Sequence, residues 1–133
     1  MVNSMSVRES ASNGYTALTT QDALEVWRGA LADSVRDDRP DLSARQLAIL
    51  LTVYLTNPPH TVRGLATLLD LKKPAVTRAL DKLSVLGFIR RATDESDRRS
   101  VLVQRTVKGS VFLSEFAEHV SRSIQRVEGA ALH

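Results

Sequence analysis

Apolar residues recur along this chain at three- and four-residue spacing in several separate stretches, and alternate in one. The first periodic stretch is Leu24, Trp27, Leu31 and Val35, an amphipathic helix over about residues 20–37. Thr19 or Thr20 can cap it, and Pro40 forbids its continuation. Ser43 followed three residues later by Gln46 has the spacing of a capping box, so a second helix opens there. Leu47, Leu50, Leu51, Tyr54 and Leu55 give it a surface apolar enough for a central, mostly buried position, and Asn57-Pro58-Pro59 stops it.

Thr61 can cap a third, short helix whose expected inner face is Leu65, Ala66, Leu68 and Leu69. A few residues later Pro74 marks the first position of a fourth helix. Val76, Ala79, Leu80 and Leu83 form its stripe, and Thr77, Arg78, Asp81 and Lys82 face elsewhere. Gly87 suits the left-handed position that closes such a helix.

From Phe88 the period changes. Phe88 and Ile89 begin one strand and residues 101–106, VLVQRT, form another. The polar stretch ATDESDRRS between them predicts a hairpin with a long, charged tip. A last helix runs over about residues 107–128, with Phe112, Phe116, Val120, Ile124 and Val127 on its stripe. The fold class is mainly α (α+β), a winged helix-turn-helix with about five helices and a two-stranded hairpin wing. Residues 1–18, rich in Ser, Asn and Gly, are expected to be a flexible tail, and residues 19–133 one domain.

Composition narrows the function classes. The chain has 133 residues, 43% of them hydrophobic, enough for one domain with a real core. No apolar run reaches the ~18 residues of a membrane span, and MVNSMSVRES lacks the apolar stretch of a secretion signal. A cytoplasmic location is the expectation. With no cysteine, there are no disulfides, thiol nucleophiles or thiolate metal sites. His60, His119 and His133 are scattered in a way that suggests no metal site. No nucleophile elbow, phosphate-cradling glycine loop or paired carboxylates in an apolar setting is present, so neither an enzyme nor a cofactor is expected.

Net charge is only +3, but its distribution is uneven. Nine of the eighteen basic residues, from Lys72 to Arg105, crowd into about a quarter of the chain. Clustered positive charge within a folded region is the footprint of an anionic partner. A short helix, a tight turn and a second helix bearing cations and hydroxyls form a helix-turn-helix, whose second helix fits the major groove of double-stranded DNA. Lys72, Lys73, Ala75, Thr77, Arg78 and Lys82 are the residues expected to meet DNA there. A hairpin directly after such a helix makes a wing, and Arg98 or Arg99 can lie in or along the minor groove. Asp97 is expected either to hold one of these guanidiniums as a bidentate partner or to cap the turn locally.

These residues resemble a known family. RQLAIL, LATLLDLKKPAVTRALDKLSVLGFIRR and DESDRRSVLVQRTVKG are similar to the MarR-type winged-helix transcriptional regulators over about residues 42–113. The most specific part is the wing pattern of Asp97, Arg99, Val101, Val103, Thr106 and Gly109. The resemblance implies a DNA-binding transcriptional regulator, with the helix from Pro74 in the major groove and the wing in the minor groove. It implies homodimers built from the first and last helices. Trp27, Leu31, Phe112, Phe116, Val120 and Ile124 are the expected interface residues. In many members a small ligand binds between the dimer helices and the DNA-binding lobe and weakens DNA affinity; the sequence does not identify an effector for this chain.

Three departures from the family pattern stand out. Arg105 replaces the usual apolar strand residue and is expected to expose a charge at the base of the wing. Lys72-Lys73 replaces a serine-type cap on the fourth helix. Set against the resemblance, the chain is expected to stop about one helix short of the usual C-terminus. The expectation is a sequence-specific regulator, most simply a repressor. A winged-helix module that binds protein and has no DNA target is the competing reading, and non-specific DNA coating lies between them.

Overall fold

The computed structural model describes residues 18–131. The expected tail lies almost wholly outside the described residues. Among them are five helices: α1 (Thr20–Arg36), α2 (Ala44–Leu55), α3 (Val62–Leu69), α4 (Lys73–Val85) and α5 (Val107–Ala131). The three strands are β1 (His60–Thr61), β2 (Ile89–Asp94) and β3 (Asp97–Arg105). They form one antiparallel sheet in the order β1-β3-β2.

The described residues fall into two compact units, one spanning 39–117 and the other made of the N-terminal part to Asp38 with the C-terminal part from Glu118. In the unit 39–117, α2, α3, α4, the sheet and the first part of α5 enclose a single cluster. Ile49, Leu50, Val53, Val76, Leu80 and Leu83 sit at its centre without exposed surface. Phe88 and Phe112 stack at its edge with ring centroids 4.4 Å apart.

Local chemistry sets the ends of these elements. The capping box is complete: Gln46 N donates to Ser43 Oγ at 3.1 Å and Ser43 N to Gln46 Oε1 at 2.9 Å. Thr19 and Thr61 accept from Asp22 N and Gly64 N in the same way. The turn between α3 and α4 uses Asp70 in the left-handed conformation, φ 53°, and Leu71 N reaches back to Ala66 O. Gly87, φ +80°, closes α4, and Phe88 N reaches Leu83 O; both turns have the Schellman pattern that satisfies the last helical carbonyls.

Several expectations shift. β1 has no counterpart among the expected elements. It has two residues, pairs His60 with Val103 and Thr61 with Leu102, and borders a helix cap, so no alternation could reveal it. The wing has no long tip: β2 and β3 pair out to Asp94 and Asp97, leaving Glu95 and Ser96 between the strands, with an irregularity at Thr93/Asp94. Arg98 and Arg99 are therefore strand residues. Pro74 is the second residue of α4, not its first. Leu55 and Leu68, expected inside, are 75% and 62% exposed, because α2 and α3 bury narrower faces than their sequences suggest.

In the other unit, α1 meets the later turns of α5 at small residues. A Cβ on Gly29 would overlap the Ser123 hydroxyl, which donates to Val26 O at 2.7 Å. Arg126 bridges to Asp33 at 2.9 Å. His119 is buried with Nε2 3.0 Å from an Asp37 carboxylate oxygen.

Candidate nucleic-acid interface

The expected DNA-facing residues of α4 occupy its first turns and its outer face. Lys72 is the N-cap and contributes no side-chain hydrogen bond to the helix, since an ammonium has no acceptor to offer the first helical N–H groups. Lys73, Thr77, Arg78 and Lys82 are exposed, and Ala75 is half-buried. On the opposite face Val76, Ala79, Leu80 and Leu83 are held in the core. The 3.6-residue period thus separates one face for packing from one for contact.

The wing presents Arg98 and Arg99 at the start of β3, both exposed. Asp97 acts chiefly on backbone and hydroxyl groups. Its carboxylate accepts from Arg99 N at 3.1 Å and from the Ser100 hydroxyl at 3.3 Å. The Arg99 Nε lies 3.6 Å from the same carboxylate, a single loose contact and not a bidentate pair. Local capping is therefore the structure's answer at Asp97. Asp94 braces the turn beside it by accepting from both the hydroxyl and the N–H of Ser96. Those two bonds, the hydroxyl's first, hold the Asp94 carboxyl below the usual aspartate range.

Other arginines nearby are taken up by the fold. Arg91 pairs with Asp81 at 2.8 Å, joining β2 to α4, the helix that carries the exposed cations. Arg90 donates to Gln104 directly across the sheet at 3.0 Å. As expected, Arg105 is exposed at the base of the wing, but its guanidinium is also held by backbone carbonyls. Its Nε donates to Val53 O at 2.8 Å and its Nη2 to Thr56 O at 2.9 Å, with the guanidinium carbon 5.9 Å from the Tyr54 ring centre. A helix end leaves carbonyls without partners, and Arg105 supplies them at the end of α2. Nothing in a linear pattern announces this, because donor and acceptors are about fifty residues apart.

The base of the wing is held by a second polar cluster. Tyr54 Oη accepts from Thr106 N at 2.8 Å and has its own proton for Phe88 O at 2.8 Å or Thr106 O at 3.0 Å. Thr106 Oγ1 donates to Gly87 O at 2.7 Å and accepts from Gly109 N at 3.0 Å. A Cβ on Gly109 would collide with the Tyr54 hydroxyl and the Phe88 carbonyl. The Thr-x-x-Gly spacing of the sequence thus has a physical cause: the threonine caps α5 and the glycine lets its first turn approach the latch.

The six expected interface residues are not equivalent. Trp27, Leu31 and Ile124 are 46%, 39% and 37% exposed. Val120 is half-buried and Phe116 buried. Phe112 is a core residue of the unit 39–117, stacked on Phe88, and has little surface to give a partner chain.

Comparison with known proteins agrees with this architecture. Residues 42–101 match the model of the MarR family. The regulator PecS of Dickeya dadantii is 33% identical over 79 residues, covering 58% of this chain and 48% of that protein. The chain thus matches about half the length of this curated relative. The structure of RV1404 from Mycobacterium tuberculosis superimposes with a TM-score of 0.69 at 25% identity, covering 84% of this chain and 74% of that one. A cysteine-to-serine mutant of Escherichia coli MarR, solved with operator DNA, gives a TM-score of 0.60 at 22% identity, covering 80% of this chain and 70% of that one. Over its winged-helix region, residues 42–101, the chain is similar to the MarR family of transcriptional regulators.

Proposed function

We propose that this chain is a sequence-specific DNA-binding transcriptional regulator, a repressor, that works as a homodimer. In this reading α4 enters the major groove and the wing follows the adjacent minor groove. It performs no catalysis, and its place of action is the cytoplasm, where DNA is accessible to it. No helix among the described residues is long and apolar enough to cross a membrane.

The observation that carries the reading is how cations are used. Arg28, Arg36, Arg39, Arg91, Arg122 and Arg126 each pair with a carboxylate. Lys72, Lys73, Arg78, Lys82 and Arg98 are exposed and enter no ion pair among the described residues, and neither do Arg45, Arg63 and Lys108 on other helices. A soluble surface ordinarily interleaves both signs. Five cations left uncompensated along one helix and one strand fit a partner that brings its own negative charge. The homodimer rests on a separate observation, the exposed apolar stripe of α1, where Leu24 and Val35 join Trp27 and Leu31.

Fluorescence anisotropy with the gene's upstream region and a scrambled duplex, at two salt concentrations, tests the function. A salt-sensitive preference for the upstream region is expected. Salt weakens the phosphate contacts and lowers affinity for any duplex, while base contacts preserve the ratio between duplexes. Equal affinity for both duplexes, repeated with duplexes selected from a random pool, would leave a non-specific coating protein. No binding to either would leave a protein-binding module.

A further inference from the structure

Arg78 invites assignment as a base-reading residue, since it lies in the early turns of the recognition helix. Its surroundings point elsewhere. A depression of about 410 Å³ opens between the start of α2 and the start of α4. Ser43, Ala44 and Arg45 line it from α2, and Ala75, Arg78 and Ala79 from α4. Its other residue, Gln46, is committed with Ser43 to the capping box. Beside the Ser43 hydroxyl and the Gln46 amide N–H groups, the cationic donors of the groove are two guanidiniums on two different helices. No acidic side chain lines the groove, and neither Arg45 nor Arg78 forms an ion pair among the described residues. The alanines Ala44, Ala75 and Ala79 keep the walls low.

We infer that Arg45 and Arg78 form a two-arginine seat for one backbone phosphate of a DNA strand, so that Arg78 positions the recognition helix and does not read a base. The inference rests on the proposed DNA binding. Two planar guanidiniums on opposite walls can each give charge-assisted N–H bonds to the non-bridging oxygens of one phosphate. A phosphate is the same at every step of the duplex, so such a seat fixes register and angle and carries no sequence information. Discrimination is then left to the other early residues of α4, Lys73 and Thr77. A second anchor on α2, outside the helix-turn-helix itself, also sets how deeply α4 enters the groove.

The test uses the full chain with a duplex selected by it from a random pool and a scrambled duplex of the same composition. Arg45→Ala and Arg78→Ala are each compared with the unsubstituted protein across a salt series, with circular dichroism to verify folding. Each variant is expected to lose roughly tenfold in affinity on both duplexes, with the log–log salt slope smaller by about one. The preference between the duplexes, and among single-base variants of the selected one, stays as before. Arg78→Lys restores part of the affinity, because a point charge still meets a phosphate. If Arg78→Ala instead relaxes preference at one base pair, or if Arg45→Ala changes neither affinity nor salt slope, the phosphate seat is wrong while DNA binding stands. If the unsubstituted chain binds no duplex, the proposed function and the seat fall together.

Discussion

The two compact units of this chain solve the problem of burial differently. The unit 39–117 finishes its interior by itself. Six side chains, from Ile49 to Leu83, lie at zero exposure, and the backbone groups at its seams are met by Tyr54, Thr106 and Arg105. The unit built on α1 and the end of α5 closes its contact mostly with small and polar residues, Gly29, Ala30, His119 and Ser123, together with Val127. Its large apolar residues Leu24, Trp27, Leu31 and Val35 remain on the outside. The difference teaches that one apolar stripe can serve two ends. On α4 it completes a core within one chain; on α1 it is surface for which the proposed second copy is the natural cover.

The largest effect should come from the finished interior. Leu80→Ala removes a fully buried side chain and is expected to cost about 2–5 kcal/mol, measured by urea unfolding. A cost below about 1 kcal/mol would show that the unit is loosely packed and would erase the contrast. Next, Leu24→Glu places a charge on the outward stripe of α1, where the side chain is 65% exposed. It should leave the unfolding of a single chain nearly unchanged, within about 0.5 kcal/mol, while raising the dimer dissociation constant at least roughly tenfold. Sedimentation equilibrium reads the second quantity. Unaltered self-association would move the interface off α1.

Tyr54→Phe is expected to cost about 1–3 kcal/mol, since it leaves the Thr106 N–H and a carbonyl without a partner in a partly buried place. The same change on a solvated tyrosine would cost almost nothing, so the measurement separates a latch from a surface ring. The smallest effect concerns Asp33. Its hydrogen bond to Arg126, aided by the charges of Arg126, Arg36 and His119, holds its carboxyl below the usual aspartate range. A carboxyl so depressed stabilises the fold above its unfolded value, near pH 4, and that contribution is lost as pH falls through its lower folded value. Acid unfolding of Asp33→Asn should therefore lack part of the slope below about pH 4 and match the parent's slope from pH 5 to 7.

Much of this was legible in the sequence because it is local. Ser43 and Gln46 cap a helix three residues apart; Val76, Leu80 and Leu83 mark a stripe with the helical period; Gly87 stands where a left-handed residue is needed. Charge clustering from Lys72 to Arg99 located the candidate interface. What escaped is non-local or ambiguous in sign. Arg105 finds carbonyls on a helix about fifty residues earlier. Arg45, in a different helix from the other cations, joins the candidate site only once α2 and α4 are packed. A stripe such as Leu24, Trp27, Leu31 and Val35 announces that something covers it, but periodicity does not say whether the cover lies in the same chain. Phe112 and Leu24 illustrate both answers: one is core, the other surface.

The Tyr54 latch also gives the molecule a clock. The proton on Thr106 N points at the Tyr54 oxygen, and a bond between residues 52 apart in sequence cannot open by fraying of one turn. Exchange of that proton with deuterated solvent requires α2 to part from the end of β3, which is the dismantling of the unit 39–117. Thr106 should thus fall in the slowest-exchanging class of amides, and its rate converts directly into the free energy of opening the whole unit.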